Sequence, residues 1–258
     1  MATDQTIINH RFVLCPKLQM MGYAELIRQC DFCGHFFAAC CSDLNKSPMC
    51  RHWPLIFTDG ACLDNGSEVA RAGVGVAVGS SAASGFSIPF SNLDCAVTAG
   101  KRTSQRAELL AALEGINRAS GSTERCYKSK LALLRNRESG DPCWIITTDS
   151  EYVVKGITEW LPKWKRNGFR NASGNKVSNI DLFTLLDEKI TQMEATSNVR
   201  IGFWHVPREF NTIADVLTNA PLERTRAAGA WTVQDIEQST GLAPGDLTVM
   251  SMARRRGV

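Results

Sequence analysis

The chain has 258 residues, 44% of them hydrophobic and 21% charged, with ten cysteines and a net charge of +3. This is the make-up of an ordinary globular chain, large enough for one moderate domain with an appendage or for two small domains. No apolar run approaches the ~20 residues that span a bilayer, and "MATDQTIINHRFVLC" lacks a basic stretch ahead of a long apolar one, so membrane and secreted classes are disfavoured. The expected setting is intracellular, nucleus or cytoplasm, where ten cysteines read as thiols or metal ligands before disulfides.

Residues 1–52 form a Cys- and aromatic-rich zone around "CDFCGHFFAACC". Cys30 and Cys33 make a CxxC pair, and "CRH" supplies Cys50 and His52, with sixteen residues between Cys33 and Cys50. That spacing is compatible with a small zinc knuckle using Cys30, Cys33, Cys50 and either His52 or Cys40. The apolar "HFFAACC" equally suits cysteines that serve as small core residues. Both readings stand at this level.

From residue 53 to 221 the pattern alternates between strands and helices. "WPLIFTDG", "AGVGVAVG" and "GFSIPF" read as an antiparallel meander punctuated by Gly and Asn. "TSQRAELLAALEGINRA" reads as a helix, with Thr103 or Ser104 as N-cap. The stretch of about 120–142, with five Lys/Arg against three acids, reads as a surface insertion, with "KLALLRNR" able to form a short helix. "CWIITTDS" is an apolar strand, and "EYVVKGITEWLPKWKRNG" two short helical pieces, the second beginning near Pro162. "SNIDLFTLLDEKITQME" is an amphipathic helix, "NVRIGFWHV" a strand and "NTIADVLTNA" a last helix. The order βββαβααβα implies a mixed sheet with helices on both faces. Residues 222–258 form a tail ending in "ARRRGV", which reads as solvated, with nucleic-acid contact or a localisation signal as the alternative.

Four carboxylates occupy comparable places. Asp59 and Asp149 finish apolar strands, while Glu108 and Asp215 sit in the first turns of helices. A single Asp after a strand is ordinarily a turn or cap residue. Four acids at the strand-end edge of one α/β sheet would repel one another unless cations offset them. Mg²⁺, which prefers carboxylates together with water and phosphate oxygens, suits that set. Two such ions about 3.5–4 Å apart could clamp a phosphodiester for in-line displacement. The small residues after Asp59 would let a nucleic-acid backbone approach.

"FTDGACLDNGSEVARAGVGV", "TSQRAELLAAL", "ITTDSEYVVKGITEW" and "HVPREFNTIADVLTNA" together resemble type 1 ribonuclease H over roughly residues 53–220. The resemblance implies an α/β RNase H-like fold, a five-stranded mixed sheet flanked by helices, preceded here by the small Cys-rich extension. It implies an endonuclease that hydrolyses the RNA strand of RNA–DNA hybrids with two Mg²⁺ ions, Mn²⁺ being able to substitute, and leaves 5′-phosphate and 3′-hydroxyl ends. Asp59, Glu108, Asp149 and Asp215 would be the metal-binding catalytic residues. The expected partner is the hybrid itself; a monomer is expected, and protein partners are unknown, with docking of one by the Cys-rich zone a third possibility.

The same resemblance assigns substrate contacts. Residues 155–176 hold six Lys/Arg against one Glu, interleaved with Trp160, Trp164 and Phe169. This stretch looks like the family's basic protrusion for the DNA strand, with Lys163, Lys165 and Arg166 facing phosphates. The alternative is an amphipathic helix whose Trp160 and Trp164 are buried in the core. Lys101, Thr103 and Asn179 match the phosphate pocket, Lys101 standing where metazoan members have arginine; capping roles for Thr103 and Asn179 are the alternative. Asn65 and Gln105 match minor-groove contacts, and Cys62 and Gly66 lie where backbone groups meet ribose hydroxyls. His205 reads as structural. Glu209 stands where many members carry a loop histidine, in a shorter loop, and is either an auxiliary to turnover or an acid at a helix start. Two rivals remain: the same site acting on another duplex, and a hybrid-binding module with weak catalysis.

Overall fold

The computed structural model describes residues 5–31, 33–41, 53–80, 84–89, 101–122, 143–197 and 199–223. Most of the expected insertion, the tail beyond 223, and both Cys50 and His52 lie outside these residues. Among the described residues, no helix is long and apolar enough to cross a membrane.

The N-terminal zone contributes strands β1 (Thr6–Ile8) and β2 (Arg11–Val13), the single turns α1 (Pro16–Gln19) and α2 (Tyr23–Leu26), and the hairpin strands β3 (Ile27–Gln29) and β4 (Phe36–Ala38). The main unit follows with β5 (Leu55–Leu63), β6 (Arg71–Ala77), β7 (Gly85–Pro89) and the long helix α3 (Ser104–Ser122). After β8 (Cys143–Thr148) come α4 (Glu151–Lys155), a π-turn (Gly156–Trp160) and α5 (Leu161–Arg166) as one continuous helical run. Helix α6 (Ile180–Ser197), β9 (Arg200–His205), a 3₁₀ turn (Arg208–Phe210) and α7 (Thr212–Glu223) complete it.

One sheet runs β1-β2-β9-β8-β5-β6-β7. Its last five strands are the mixed sheet the sequence implies: β5, β6 and β7 form the antiparallel meander, and β8 and β9 run parallel to β5 and to each other. The sheet nevertheless has seven strands rather than five. Strand β2 joins β9 in parallel through one pair, Arg11 opposite Phe203, and β1 pairs back on β2. Three-residue strands carry almost no periodicity, which is why they leave no readable pattern.

Alternation along the strands sends neighbours to opposite faces. Ile56, Trp144 and Ile146 face one core with Leu110 and Ile116 of α3 and Phe183, Leu186 and Ile190 of α6. Leu55, Phe57, Ile145 and Trp204 face the other with Ile213 and Leu217 of α7. That second core is finished by the N-terminal zone, through Ile7, Phe12, Leu18, Leu26, Ile27 and Phe36. Each such side chain removed from water contributes on the order of 1.5–3 kcal/mol. Because both faces are covered, all six residues of β8 are buried, as a parallel strand requires.

Candidate active site

The parallel pairing of β5 with β8 ends at Phe57 opposite Thr147. Asp59 and Asp149 each lie two residues further on, where the two strands part. Asp59 therefore does not end its strand, as the sequence suggests; β5 continues to Leu63 paired with β6 alone. The acid sits at the fork.

Two glycines bring the other carboxylates in. A Cβ on Gly60 would stand 2.1 Å from the Ala107 carbonyl carbon and 2.4 Å from the Glu108 nitrogen. Only glycine lets α3 press its backbone on β5 there, one residue from Asp59. The glycine after Asp59 thus admits a helix of the protein itself, rather than the nucleic-acid backbone expected from sequence. Glu108 consequently lies in the second turn of α3, not the first. Gly75, the cross-strand partner of Asp59, plays the same part on β6: a Cβ there would come within 2.3 Å of the Ala214 oxygen, next to Asp215. The Thr218 hydroxyl, one turn along α7, donates to the Asp59 carbonyl oxygen at 2.9 Å.

Each of three acids has its own protein donor. Ser150, the N-cap of α4, donates from Oγ to Glu108 Oε2 at 2.6 Å. Asn211, fully buried, donates from Nδ2 to Asp149 Oδ1 at 2.6 Å and to the Thr58 oxygen at 3.1 Å. Arg208 in the 3₁₀ turn donates from Nη2 to Asp215 Oδ1 at 2.6 Å. Burial, then the charges of Asp149 and Asp215, push the Asp59 carboxyl up to about 7. Burial also raises Glu108, opposed by the Ser150 hydrogen bond and assisted by Asp149. The four acids therefore share one electrostatic neighbourhood.

As placed, no three His, Cys, Asp or Glu side chains among the described residues stand close enough together to hold a metal ion. The donor set still fits a hard divalent cation. Four carboxylates face one edge, two of them disfavoured as anions, and the Oδ1 of buried Asn211 has no hydrogen-bond partner beside them. The ligands would have to close by side-chain rotation, releasing Ser150, Asn211 or Arg208. For zinc, Cys30 is buried against Phe37 with Cys33 at its edge. Two of the expected ligands are outside the described residues, and no zinc site is assembled among the rest.

The expected substrate contacts flank this edge. Lys163, Lys165 and Arg166 are exposed on α5, although Lys165 already pairs with Asp187 at 2.6 Å. The aromatic residues lie between the two expected roles. Trp160, Trp164 and Phe169 are half-buried, and Trp164 meets Phe183 edge-on at 5.2 Å and Trp160 at 5.8 Å. Trp164 and Phe169 pack against the core and so root the protrusion, while each ring keeps part of its surface in solvent. The π-turn is seated the same way, since any Cβ on Gly156 would strike the Phe183 ring at 2.3 Å.

At the start of α3, Lys101 and Gln105 are exposed. Thr103 caps the helix, its Oγ1 accepting from the Arg106 N–H at 3.3 Å. Asn65 Oδ1 accepts from the Ser104 N–H at 3.2 Å, and the Gly66 N–H donates to the Arg102 oxygen at 2.8 Å. The Gly66 N–H is thus engaged within the protein, and the turn that holds Asn65 is docked on the helix. Cys62 is half-buried on β5. Asn179, at φ +56° just before α6, donates from Nδ2 to the Tyr152 hydroxyl at 3.1 Å. His205 is half-buried at the end of β9, opposite Thr148. Glu209 is exposed; its neighbour Arg208 is the residue of that turn that reaches the acids.

A model of the family described as RNase H matches residues 53–222. The chain belongs to the RNase H family. Among relatives, Ribonuclease H of Pseudomonas entomophila is 33% identical over 174 residues, which cover 67% of this chain and 95% of that protein. Ribonuclease H1 of Rattus norvegicus is 34% identical over 154 residues, covering 59% of this chain and 43% of its own length. A solved structure of LC11-RNase H1 in complex with an RNA/DNA hybrid shares 18% identity at a TM-score of 0.38, over 64% of this chain and 94% of that one. The RNase H match begins at Trp53, so it leaves the N-terminal layer unmatched.

Sequence reading missed four contributors to the RNase H site: Arg208, Asn211, Ser150 and Thr218. Ser150 carried a signal, being a Ser directly ahead of a helix. Asn211 and Thr218 act through long-range bonds to Thr58 and Asp59, which no local pattern records.

Proposed function

We propose that this chain cleaves the RNA strand of RNA–DNA hybrids with two divalent cations, Mg²⁺ or in its place Mn²⁺, leaving 5′-phosphate and 3′-hydroxyl ends. Asp59, Glu108, Asp149 and Asp215 hold them. The observation that carries the reading is Asp59, half-buried at the strand fork, its carboxyl pushed up to about 7 by burial and by the charges of Asp149 and Asp215. A carboxyl held that way is poorly satisfied by the protein alone, and a hard cation relieves both the burial and the repulsion. Once bound, the ions supply Lewis acidity toward the attacking water and the departing oxygen.

The chain's own residues do the rest. Asn211 fixes the Asp149 carboxylate, and Ser150 fixes Glu108 while capping α4. Lys163, Arg166 and Lys101 present charge to the DNA-strand phosphates, which sets register without reading sequence. Asn65 and Gln105, at the docked turn and helix start, face the minor groove, where Cys62 and Gly66 can still offer backbone oxygens to ribose hydroxyls.

The test is cleavage of matched RNA–DNA, RNA–RNA and DNA–DNA duplexes by the full chain and by Asp149→Asn. The hybrid should be cut fastest. The substitution should reduce cleavage by more than roughly a hundredfold, beyond what loss of an outer partner of a metal ligand costs, while leaving hybrid affinity intact. Faster cleavage of RNA–RNA would overturn the substrate, and an active Asp149→Asn would overturn the site.

A further inference from the structure

The carboxylate edge carries its own cation. Arg208 lies seven residues before Asp215, and the 3₁₀ turn folds it back so that Nη2 reaches Asp215 Oδ1 at 2.6 Å. Asp215, then Asp149 and Asp59, all favour the charged guanidinium. Its side chain is 74% exposed, so it is free to swing away into water. The turn beneath it is not free. The Phe210 N–H donates to the Pro207 oxygen at 2.9 Å, and the Asn211 N–H to the Arg208 oxygen at 3.0 Å. The Phe210 ring packs on Tyr23 of α2 at 5.3 Å, and Tyr23 stacks on Trp204 at 5.7 Å. The N-terminal layer therefore braces the turn that aims Arg208.

We infer that Arg208 is a resident counter-ion of the acidic edge, one that holds Asp215 in place of a divalent cation and must release it when a cation binds. The inference rests on the proposed assignment of Asp215 as a metal ligand. A fixed positive charge beside the carboxylates repels an incoming cation and occupies one of its ligand oxygens, so metal binding includes breaking this pair. Arg208 makes the edge tolerable without metal and weakens metal binding by the same interaction. Tyr23 acts through Phe210 as a positioning residue: loosening the turn weakens the pair without touching any acid.

The experiment is Mn²⁺ binding by calorimetry, in the absence of nucleic acid, on the full chain and on Arg208→Gln, Asp215→Asn, the double variant and Tyr23→Leu. Loss of an exposed ion pair is read as about a two- to fivefold tightening of Mn²⁺ in Arg208→Gln, shrinking as salt rises. The tightening should vanish when Asp215 is already Asn, and Tyr23→Leu should move affinity the same way by less. Equal or weaker Mn²⁺ binding in Arg208→Gln, with Asp215→Asn still weakening it, overturns the counter-ion role and leaves the hybrid nuclease standing. Unchanged binding in Asp215→Asn overturns the ligand assignment and this inference together.

Discussion

The carboxylate edge and the N-terminal layer are built on opposite principles. At the edge, backbone meets backbone: α3 touches β5 at Gly60, and α7 touches β6 at Gly75, where the Thr218 hydroxyl joins the backbone atoms. The layer covers the same sheet chiefly with side chains, rings such as Phe12 on Trp53 at 5.1 Å and on Trp204 at 5.6 Å and Tyr23 on Trp204, together with aliphatic Ile7, Leu18, Leu26 and Ile27. Its backbone adds one parallel pair with β9, the isolated bridges His35–Gly79 and Phe37–Pro54, and bonds such as the Phe36 N–H to the Val78 oxygen at 3.0 Å. Contacts of the first kind fix acids to within a fraction of an ångström and tolerate no added atom. Contacts of the second kind cover a face and can be repacked.

The sharpest way to break that contrast is to add one methyl group. Gly60→Ala would place a carbon 2.1 Å from the Ala107 backbone, with no flexible side chain to yield. We expect a loss upwards of about 3 kcal/mol, past the usual range for overpacking, seen as a large fall in Tm together with loss of cleavage. A variant of ordinary stability would mean that α3 is not seated on β5 as described.

A gentler change tests the layer. Phe12→Leu keeps an apolar side chain but removes two ring contacts, worth about 1 to 2 kcal/mol between them. Because Phe12 belongs to the same core as Phe57, Ile145 and Leu217, melting should remain one transition, shifted downward, with cleavage retained below it. Two separate transitions would make the layer an independent appendage.

The same contrast explains what the sequence disclosed. The main unit was legible because its elements are long and strongly patterned: six buried residues in β8, a full amphipathic α6, and acids at repeated strand–helix junctions. Its site was legible as a list of residues but not as an arrangement. The reason Gly60 and Gly75 must be glycine, and the engagement of Asp149 by Asn211, are relations between segments far apart in the chain. The layer was hardly legible at all. Strands of three residues and helices of four have no measurable period, and its dense cysteines directed attention to zinc. Cys15 and Cys30 are buried at 3% and 2% exposure among apolar neighbours, while Cys50 and His52 lie outside the described residues. Trp160 and Trp164 show the converse: helical spacing allowed both a stacking and a core role, and Trp164 meets Phe183 while both rings stay half-buried.

The smallest expected effect separates the two regions by pH. Asp59 is raised from 3.8 to about 7 by burial and by two like charges, so the folded chain holds its proton more tightly than the unfolded chain does. Between those values unfolding releases a proton, and stability therefore declines as pH rises from about 4 to about 7 and levels off above that. No packed atom is removed, and although the full shift corresponds to about 4 kcal/mol, solvent at the half-buried carboxyl screens most of it, which leaves roughly a few degrees of Tm across the window in the absence of divalent cations. Asp59→Asn should flatten that decline, because the titrating group is gone. Phe12→Leu should lower the whole curve and leave its slope unchanged, because ring contacts do not titrate. If instead Phe12→Leu alters the slope, the layer and the acidic edge are coupled more closely than their contacts describe, and the path through Tyr23, Phe210 and Arg208 is the one to follow.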